Sequence, residues 1–389
     1  MKASAYKILA ILIVIAIAFE LRYFAANTLY IDYDEPAYLN NALEYTNFVR
    51  AGKWTWLAWD TTHYEHPAFY KIVYGVALLT QPPVDSLSKP DFDSGNAIQT
   101  APARSLGMVD RYVSVFFSTA TVIVLAILNP LAGLALSVDT LAVKYGASIY
   151  LESLPGLTSL LAALAYLFWF EREKRRPSKK NLIWLGLTAV LLGISIASKY
   201  YYGVIALAIG VHLILMVLQK KIKPFYLGYL CALGLATLVA FFIFDPYLWP
   251  HPISRLITSL SFFGEYAKTS DEVTRYHYPF WQSLTWLTAP FSTFFGAALP
   301  SLPVRLDQAI LFFAVIGLPR LFKKRLLFFI WLAVGVVTLL LWTVKWPQYT
   351  MIILTPYCFS AGEGAAWLAN EVYKLFRRLI LRKELAAGT

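Results

Sequence analysis

Apolar residues in this chain come in long, nearly unbroken runs rather than in the short stripes of a water-soluble fold. A spanning helix needs about 20 apolar residues, and the runs predict ten such helices, near 8–26, 108–128, 130–150, 153–170, 182–199, 201–218, 225–244, 304–321, 326–344 and 348–369. Polar residues fall between the runs and are dealt unevenly. With the N-terminus in the cytoplasm, the basic clusters at 171–180, 219–223, 320–325 and 374–378 all land on the cytoplasmic side, as Lys and Arg do in membrane proteins. That orientation requires Pro67 to Thr80, which carries Lys71 and several tyrosines, to lie on the membrane as an interfacial helix instead of crossing it. Two outer segments follow, one from about 27 to 107 and one from about 245 to 303. The tip Gln81 to Gly95 reads as irregular, and the aromatic patches from Trp281 to Phe295 read as interfacial or re-entrant helix. The run Ile8 to Phe19 follows Lys2 and Lys7 as a signal peptide would, but Glu20-Leu-Arg-Tyr-Phe24 comes next in place of a small-residue cleavage site. An uncleaved first span is expected, within one helical transmembrane domain over 1–389 that has no internal repeat.

Composition agrees with this pattern. Of 389 residues 58% are hydrophobic and only 15% charged, which excludes a soluble globular chain. The net charge of +11 would suit nucleic acid if the basic residues were pooled, but they are spread in short loops, so membrane lipid and not nucleic acid is the expected partner. Cys231 and Cys358 lie inside apolar stretches and suggest neither a disulfide framework nor a metal site. The source suggested is a prokaryotic cell membrane.

The chemistry gathers on the outer side. Asp32, Asp34 and Glu35 sit just past the first span; His66, Arg111, Glu152, Lys199, Tyr200, Asp245, Tyr247, Lys345 and Tyr349 occupy later loops or outer helix ends. Ionisable groups at a membrane are functional candidates, although those at helix ends can snorkel to water. Asp34-Glu35 can place one acid in a site and use the other as a brace, or can simply cap a helix. Asp32-x-Asp34 can hold a divalent cation through oxygen ligands. His66 precedes Pro67, which holds it extended. Lys199 and Lys345, each among aromatics, suit either an anionic headgroup or an aromatic belt, and Arg111 adds a third outward cation. Three cations on one face suggest a phosphate seat. Asp245-Pro-Tyr-Leu-Trp-Pro-His-Pro252 ends a helix and turns the chain.

These residues carry a resemblance. Tyr33-Asp-Glu-Pro-Ala-Tyr38 and Tyr64-Glu-His-Pro-Ala-Phe-Tyr70 resemble the Asp-Glu and His-Pro-Pro segments in the first outer loop of GT-C glycosyltransferases of the protein O-mannosyltransferase and aminoarabinose-transferase group. In the same order, Arg111-Tyr-Val-Ser-Val-Phe116, Leu151-Glu-Ser-Leu154, Gly193 to Tyr200 and Lys345 to Pro356 are similar to later motifs of that group. Ala68 stands where the second proline would be, Glu152 replaces an aspartate, and the arginine usual before that acid is missing, with Lys144 the nearest cation.

The resemblance implies an all-α polytopic GT-C fold and an inverting enzyme. Its donor would be a polyprenyl-phosphate sugar and its acceptor a protein, a lipid or a glycan, reached on the extracytoplasmic face. Asp34 would be the base and Glu35 its support, while Tyr38, His66, Glu152, Tyr200, Asp245, Tyr247 and Tyr349 would line the substrate site and Arg111, Lys199 and Lys345 would neutralise phosphate. No cofactor is required by that chemistry, and Asp32 with Asp34 leaves a divalent metal open. Two other classes remain open too: a transporter or flippase for a charged lipid or solute, whose charges usually sit at mid-membrane, and an oligosaccharide ligase using a diphosphate lipid.

Overall fold

The computed structural model describes residues 2–59, 64–87, 101–288 and 306–387, and these are helical with no strand among them. In chain order the helices are α1 (Lys2–Thr28), α2 (Glu35–Arg50), α3 (Phe69–Leu78), α4 (Ala101–Leu128), α5 (Pro130–Val138), α6 (Thr140–Tyr145), α7 (Ser153–Arg175) and α8 (Leu182–Ser198). They continue as α9 (Val204–Leu218), α10 (Tyr226–Phe244), α11 (Pro252–Thr269), α12 (Asp271–Tyr276), α13 (Gln282–Thr285), α14 (Leu306–Lys324), α15 (Leu326–Leu341) and α16 (Met351–Ala387). Single 3₁₀ turns at Trp54–Ala58, Tyr200–Gly203, Pro246–Leu248 and Pro347–Thr350 join them. Among the described residues six helical stretches are long and apolar enough to cross a membrane, those containing α1, α4, α7, α8, α9 and α10. Most of the expected runs match a helix to within a few residues, but those at 304–321, 326–344 and 348–369, now α14 to α16, are not among these six, and α16 runs on to Ala387.

The stretch 130–150 does not match a single helix. It breaks into α5 and α6, because Asp139 leaves the helix at Val138 with an extended backbone and accepts the Ala142 N–H at 2.9 Å to start a new one. An N-cap aspartate of this kind ends one helix as it begins the next. The break is locked from outside by Asp307 of α14, which accepts from the Thr140 backbone N–H at 3.0 Å and from its hydroxyl. Residues 146–152 then run as a loop instead of a membrane-buried turn of helix. The α3 helix is too short to span, at ten residues or about 15 Å, as expected, and Tyr70, Lys71, Tyr74 and Leu78 bury one side of it against α2 and α4. The expected irregular tip is described only as far as Leu87, and Trp281 to Thr288 forms α13 and a 3₁₀ turn; the rest of both stretches lies outside the described residues.

Two tight features hold the bundle. Arg22 of α1 is fully buried, and its guanidinium donates to Ser118 Oγ at 2.7 Å and to the carbonyls of Ala18, Ser137 and Leu136 at 3.2, 3.1 and 3.0 Å, which ties α1 to α4 and to the end of α5. In membrane, where small residues let helix backbones approach, α14 and α16 cross at Gly317 and Gly364. A Cβ at Gly317 would lie 1.8 Å from the Ser360 carbonyl oxygen. Gly317→Leu is therefore expected to lower stability by about 3 kcal/mol or more, since the helices have to separate. Gly186→Ala in α8, where a Cβ meets nothing within 4 Å, is expected to stabilise by up to about 1 kcal/mol through helix propensity. Thermal unfolding in detergent checks both, and equal melting temperatures for Gly317→Leu and the parent would contradict this packing.

Candidate functional site

The two adjacent acids at the start of α2 have opposite fates. Glu35 is fully buried, and four donors converge on its carboxylate: Arg111 Nε at 2.9 Å, Arg111 Nη2 at 2.7 Å, the Asp32 backbone N–H at 2.7 Å and the Ile149 backbone N–H at 2.8 Å. Asp34 occupies the N-cap position of the same helix but does not cap it. Its backbone is already helical, at φ −85° and ψ −16°, and Pro36 in the first turn has no N–H to offer. The Asp34 carboxylate is left with no hydrogen-bond donor among the described residues, in a half-buried position on a cavity wall. Burial, joined by the charges of Asp32, Glu152 and Glu272, pushes its acid constant up to about 6 against the opposing pull of Lys199.

That cavity has a volume of about 1090 Å³ and lies at the end of the bundle where α2, the 146–152 loop, the end of α8, α11, α12 and the 346–349 turn meet. Its walls carry Asp32, Asp34, Tyr38, His66, Lys199 and Tyr349 from the expected set. Tyr38 packs against His66 and Tyr150, with ring centroids 5.8 and 5.9 Å apart, and His66 packs on Phe263 at 5.9 Å. The loop carrying His66 is pinned by Asp245, whose Oδ1 accepts the Ala68 N–H at 3.1 Å.

Lys199 reaches the cavity because the chain leaves α8 there. Its φ of −161° and ψ of 120° are extended, so the side chain swings off the helix end. The ammonium contacts Glu152 Oε1, which also accepts the Tyr201 hydroxyl at 2.7 Å, while Glu152 Oε2 is buried without a partner. Lys199 starts from that one ion pair and still has two N–H groups to give.

The other two expected phosphate cations are committed elsewhere. Arg111 uses all five of its N–H donors, two on Glu35 and the rest on the carbonyls of Ala26, Leu29 and Tyr30 at 2.8, 2.9 and 3.1 Å. Lys345 turns back to cap the end of α15, donating to the carbonyls of Leu339 at 2.6 Å, Leu340 at 3.2 Å and Trp342. Neither lines the cavity; Lys345 serves backbone carbonyls, and Arg111 serves carbonyls and Glu35 together. Tyr200, Asp245 and Tyr247 also lie outside it: the Tyr200 hydroxyl faces Asp245 Oδ2 at 3.5 Å, and Tyr247 stacks under the Arg255 guanidinium at 4.7 Å. Glu152 sits beneath the wall as the partner of Lys199.

In their place the cavity gains residues that hydropathy gave no reason to select. Lys144, 2.7 Å from Asp32 Oδ2, and the tyrosines Tyr145 and Tyr150 arrive through the broken 130–150 stretch. Arg275 and Glu272 come from α12, the former exposed on the wall without a partner among the described residues, the latter accepting the Tyr266 hydroxyl at 3.0 Å. The available signal was the amphipathic pattern of 252–276, which places Phe262, Phe263 and Tyr266 on one face. Among the described residues no three His, Cys, Asp or Glu side chains gather as a metal cluster, and Asp32 lies 2.7 Å from the Lys144 ammonium. Chemically, the cavity offers a proton acceptor, cations nearby for an oxyanion, and aromatic walls.

Helices in this arrangement define an integral membrane protein of the GT-C fold. No protein-family model matches the sequence, and no curated protein matches it. In structure the chain is similar to ArnT from Cupriavidus metallidurans in the apo state, with a TM-score of 0.57 and 14% identity over 94% of this chain and 60% of that one. The same protein bound to undecaprenyl phosphate matches with a TM-score of 0.55 and 13% identity, over 93% of this chain and 60% of that one. The archaeal oligosaccharyltransferase AglB from Archaeoglobus fulgidus, in complex with an inhibitory peptide and a dolichol-phosphate, matches with a TM-score of 0.55 and 11% identity over 97% of this chain and 52% of that one. The chain thus spans between half and two thirds of the length of these proteins.

The saturated Glu35–Arg111 pair makes a separable prediction about stability. Arg111→Met is expected to cost about 3–5 kcal/mol because it leaves a buried carboxylate unpaired, and adding Glu35→Gln is expected to return part of that loss, a coupling of about 1–3 kcal/mol. Denaturant or thermal unfolding of the two single variants and the double variant measures it; strictly additive losses would contradict the pairing.

Proposed function

We propose that this protein is an inverting glycosyltransferase that moves a sugar from a polyprenyl phosphate to an acceptor hydroxyl or comparable nucleophile, with Asp34 as the base. The observation that carries the proposal is the pairing, in one cavity, of a carboxylate without a donor and an ammonium with donors to spare. The fold is shared with proteins whose structures hold undecaprenyl phosphate or a dolichol-phosphate, which supports a lipid phosphate as the donor carrier.

In this reading the donor phosphate lies toward Lys199, with the Arg275 guanidinium and the Lys144–Asp32 pair at the rim. As the bond from the anomeric carbon to the phosphate oxygen breaks, its electrons pass to the phosphate, and the fixed cations stabilise the charge that appears there. The acceptor oxygen attacks the opposite face of the sugar, and Asp34 takes its proton. A single displacement inverts the anomeric centre. Tyr38, Tyr150 and His66 supply the rings and polar edges that hold the sugar, while Glu35 and Arg111 fix the backbone that carries Asp34. Cations of the chain neutralise the leaving phosphate, so the reaction as proposed calls for no divalent ion. Lys199 closes α8, whose other end follows the basic run 171–180; positive-inside orientation therefore supports an extracytoplasmic cavity and cytoplasmic termini. A prokaryotic cell membrane is the setting we propose.

Asp34→Asn, reconstituted with a set of polyprenyl-phosphate monosaccharides, is expected to lower transfer by roughly 10²–10⁴-fold, the usual contribution of a general base. The acid limb of kcat/KM in the parent is expected near pH 6, since Asp34 works only when deprotonated and its constant lies at about 6. Folding responds with the opposite sign. A carboxyl raised from 3.8 to about 6 binds its proton more tightly when folded, so stability is greatest below 3.8 and falls as pH rises through 6. Asp34→Asn should accordingly leave the unfolding free energy at pH 7 unchanged or raise it, by about 1–2 kcal/mol at most after allowance for partial exposure. Undiminished transfer, or a loss of transfer explained by unfolding, would remove Asp34 from the role of base.

A further inference from the structure

A patch of exposed tryptophan and isoleucine beside the cavity is not used by the chemistry above. Trp54, Trp56 and Trp59 stand 61%, 46% and 59% exposed on the 3₁₀ turn after α2. Nearly two hundred residues later Trp249, Ile253 and Ile257 are exposed as well, the isoleucines one helical turn apart on α11. Arg255 locks the two segments together: its Nη1 donates to the Ala58 carbonyl at 2.5 Å and to the Tyr247 carbonyl at 2.6 Å, and its guanidinium lies 5.8 Å from the Trp59 ring centroid. Ser259 Oγ, donating to the Tyr64 carbonyl at 2.5 Å, adds a second tie between α11 and the loop that follows the tryptophans.

We infer that these six side chains form one surface that seats in the interfacial layer of the bilayer, with phospholipid headgroups and the first acyl carbons as its ligand. The position of the patch argues for lipid. Helix α10 crosses the membrane with only 22% of its apolar window buried, and its exposed flank runs through Leu235, Leu238 and Val239 to Ile243 in its last turn. Trp249 is fastened to that turn by an Nε1–H bond to the Phe242 carbonyl at 2.8 Å, so the patch continues the lipid-facing flank without a break. Tryptophan concentrates at this depth because its ring is apolar and its N–H is polar, and a helix with aliphatic residues on one side lies about 5–10 Å into the boundary layer. Lys53, 4.1 Å from the Trp56 ring centroid, supplies the cation that snorkels toward phosphates. A sugar-stacking platform would explain exposed tryptophans but not the isoleucines beside them. The other side of α11 carries Phe262, Phe263 and Tyr266 into the cavity wall, so the same helix sets the depth at which the cavity opens.

The test measures depth and is independent of sugar transfer. In a Cys231→Ser/Cys358→Ser background, nitroxide labels are placed at Trp56→Cys and Ile257→Cys and compared, in lipid nanodiscs, with a lipid-facing label at Leu238→Cys and an aqueous label at Lys220→Cys. Power-saturation EPR with oxygen and with NiEDDA is expected to show both test labels meeting oxygen more often than nickel, as at Leu238→Cys. Nickel-dominated collisions at both positions, as at Lys220→Cys, would overturn the inference, and so would a split result, since the surface is proposed as one unit. An aqueous Trp56→Cys label that a soluble oligosaccharide shields would overturn it in favour of a glycan platform.

Discussion

A buried carboxylate held by four N–H donors, two of them from a single guanidinium, organises this end of the molecule. Glu35 and Arg111 clamp the start of α2 to α4, and Arg111 spends its remaining donors on the carbonyls that finish α1. An ion pair removed from water repays its desolvation only when the geometry is good and every remaining donor is used, and here every donor of Arg111 is. The consequence for the neighbouring residue is what matters chemically. With Glu35 collecting the donors and Pro36 offering none, Asp34 is held in place by its backbone while its side chain is left bare toward the cavity.

A second buried pair, Lys199 with Glu152, works differently. Arg111 has every donor taken up, whereas, among the described residues, the Lys199 ammonium is ion-paired with Glu152 alone and its residue lines the cavity. Two cations from similar sequence surroundings thus differ in what they can still bind, and the difference comes from how many backbone carbonyls surround each head group. The same accounting separates Lys345, which caps α15, from Arg275, which stands open on α12.

Much of this was legible in the sequence, and the gaps have physical causes. Helix limits such as those of α8 and α10 follow from bilayer thickness, so runs of the right length place them closely. Asp34, His66 and Lys199 stand out because polar residues just beyond an apolar run are rare enough to notice. The break at Asp139 was hidden because a window of twenty residues averages out a single capping carboxylate, and with it went Tyr145 and Tyr150. That the donors of Arg111 and Lys345 are taken up could not be read beforehand, because saturation depends on carbonyls brought near by tertiary folding, which no linear pattern displays. The bond that Asp245 accepts from the Ala68 N–H was hidden for a related reason, since it is a contact across 177 residues.

The account rests on a bare carboxylate and an available ammonium facing each other across one hollow. Cryo-electron microscopy of the protein in nanodiscs with a polyprenyl-phosphate sugar, or its stable phosphonate analogue, addresses that directly. The account predicts phosphate density against the Lys199 ammonium and the sugar between it and the Asp34 carboxylate. A phosphate lodged outside the cavity, or an Asp34 side chain turned back onto the first turn of α2 with the lipid bound, would contradict it.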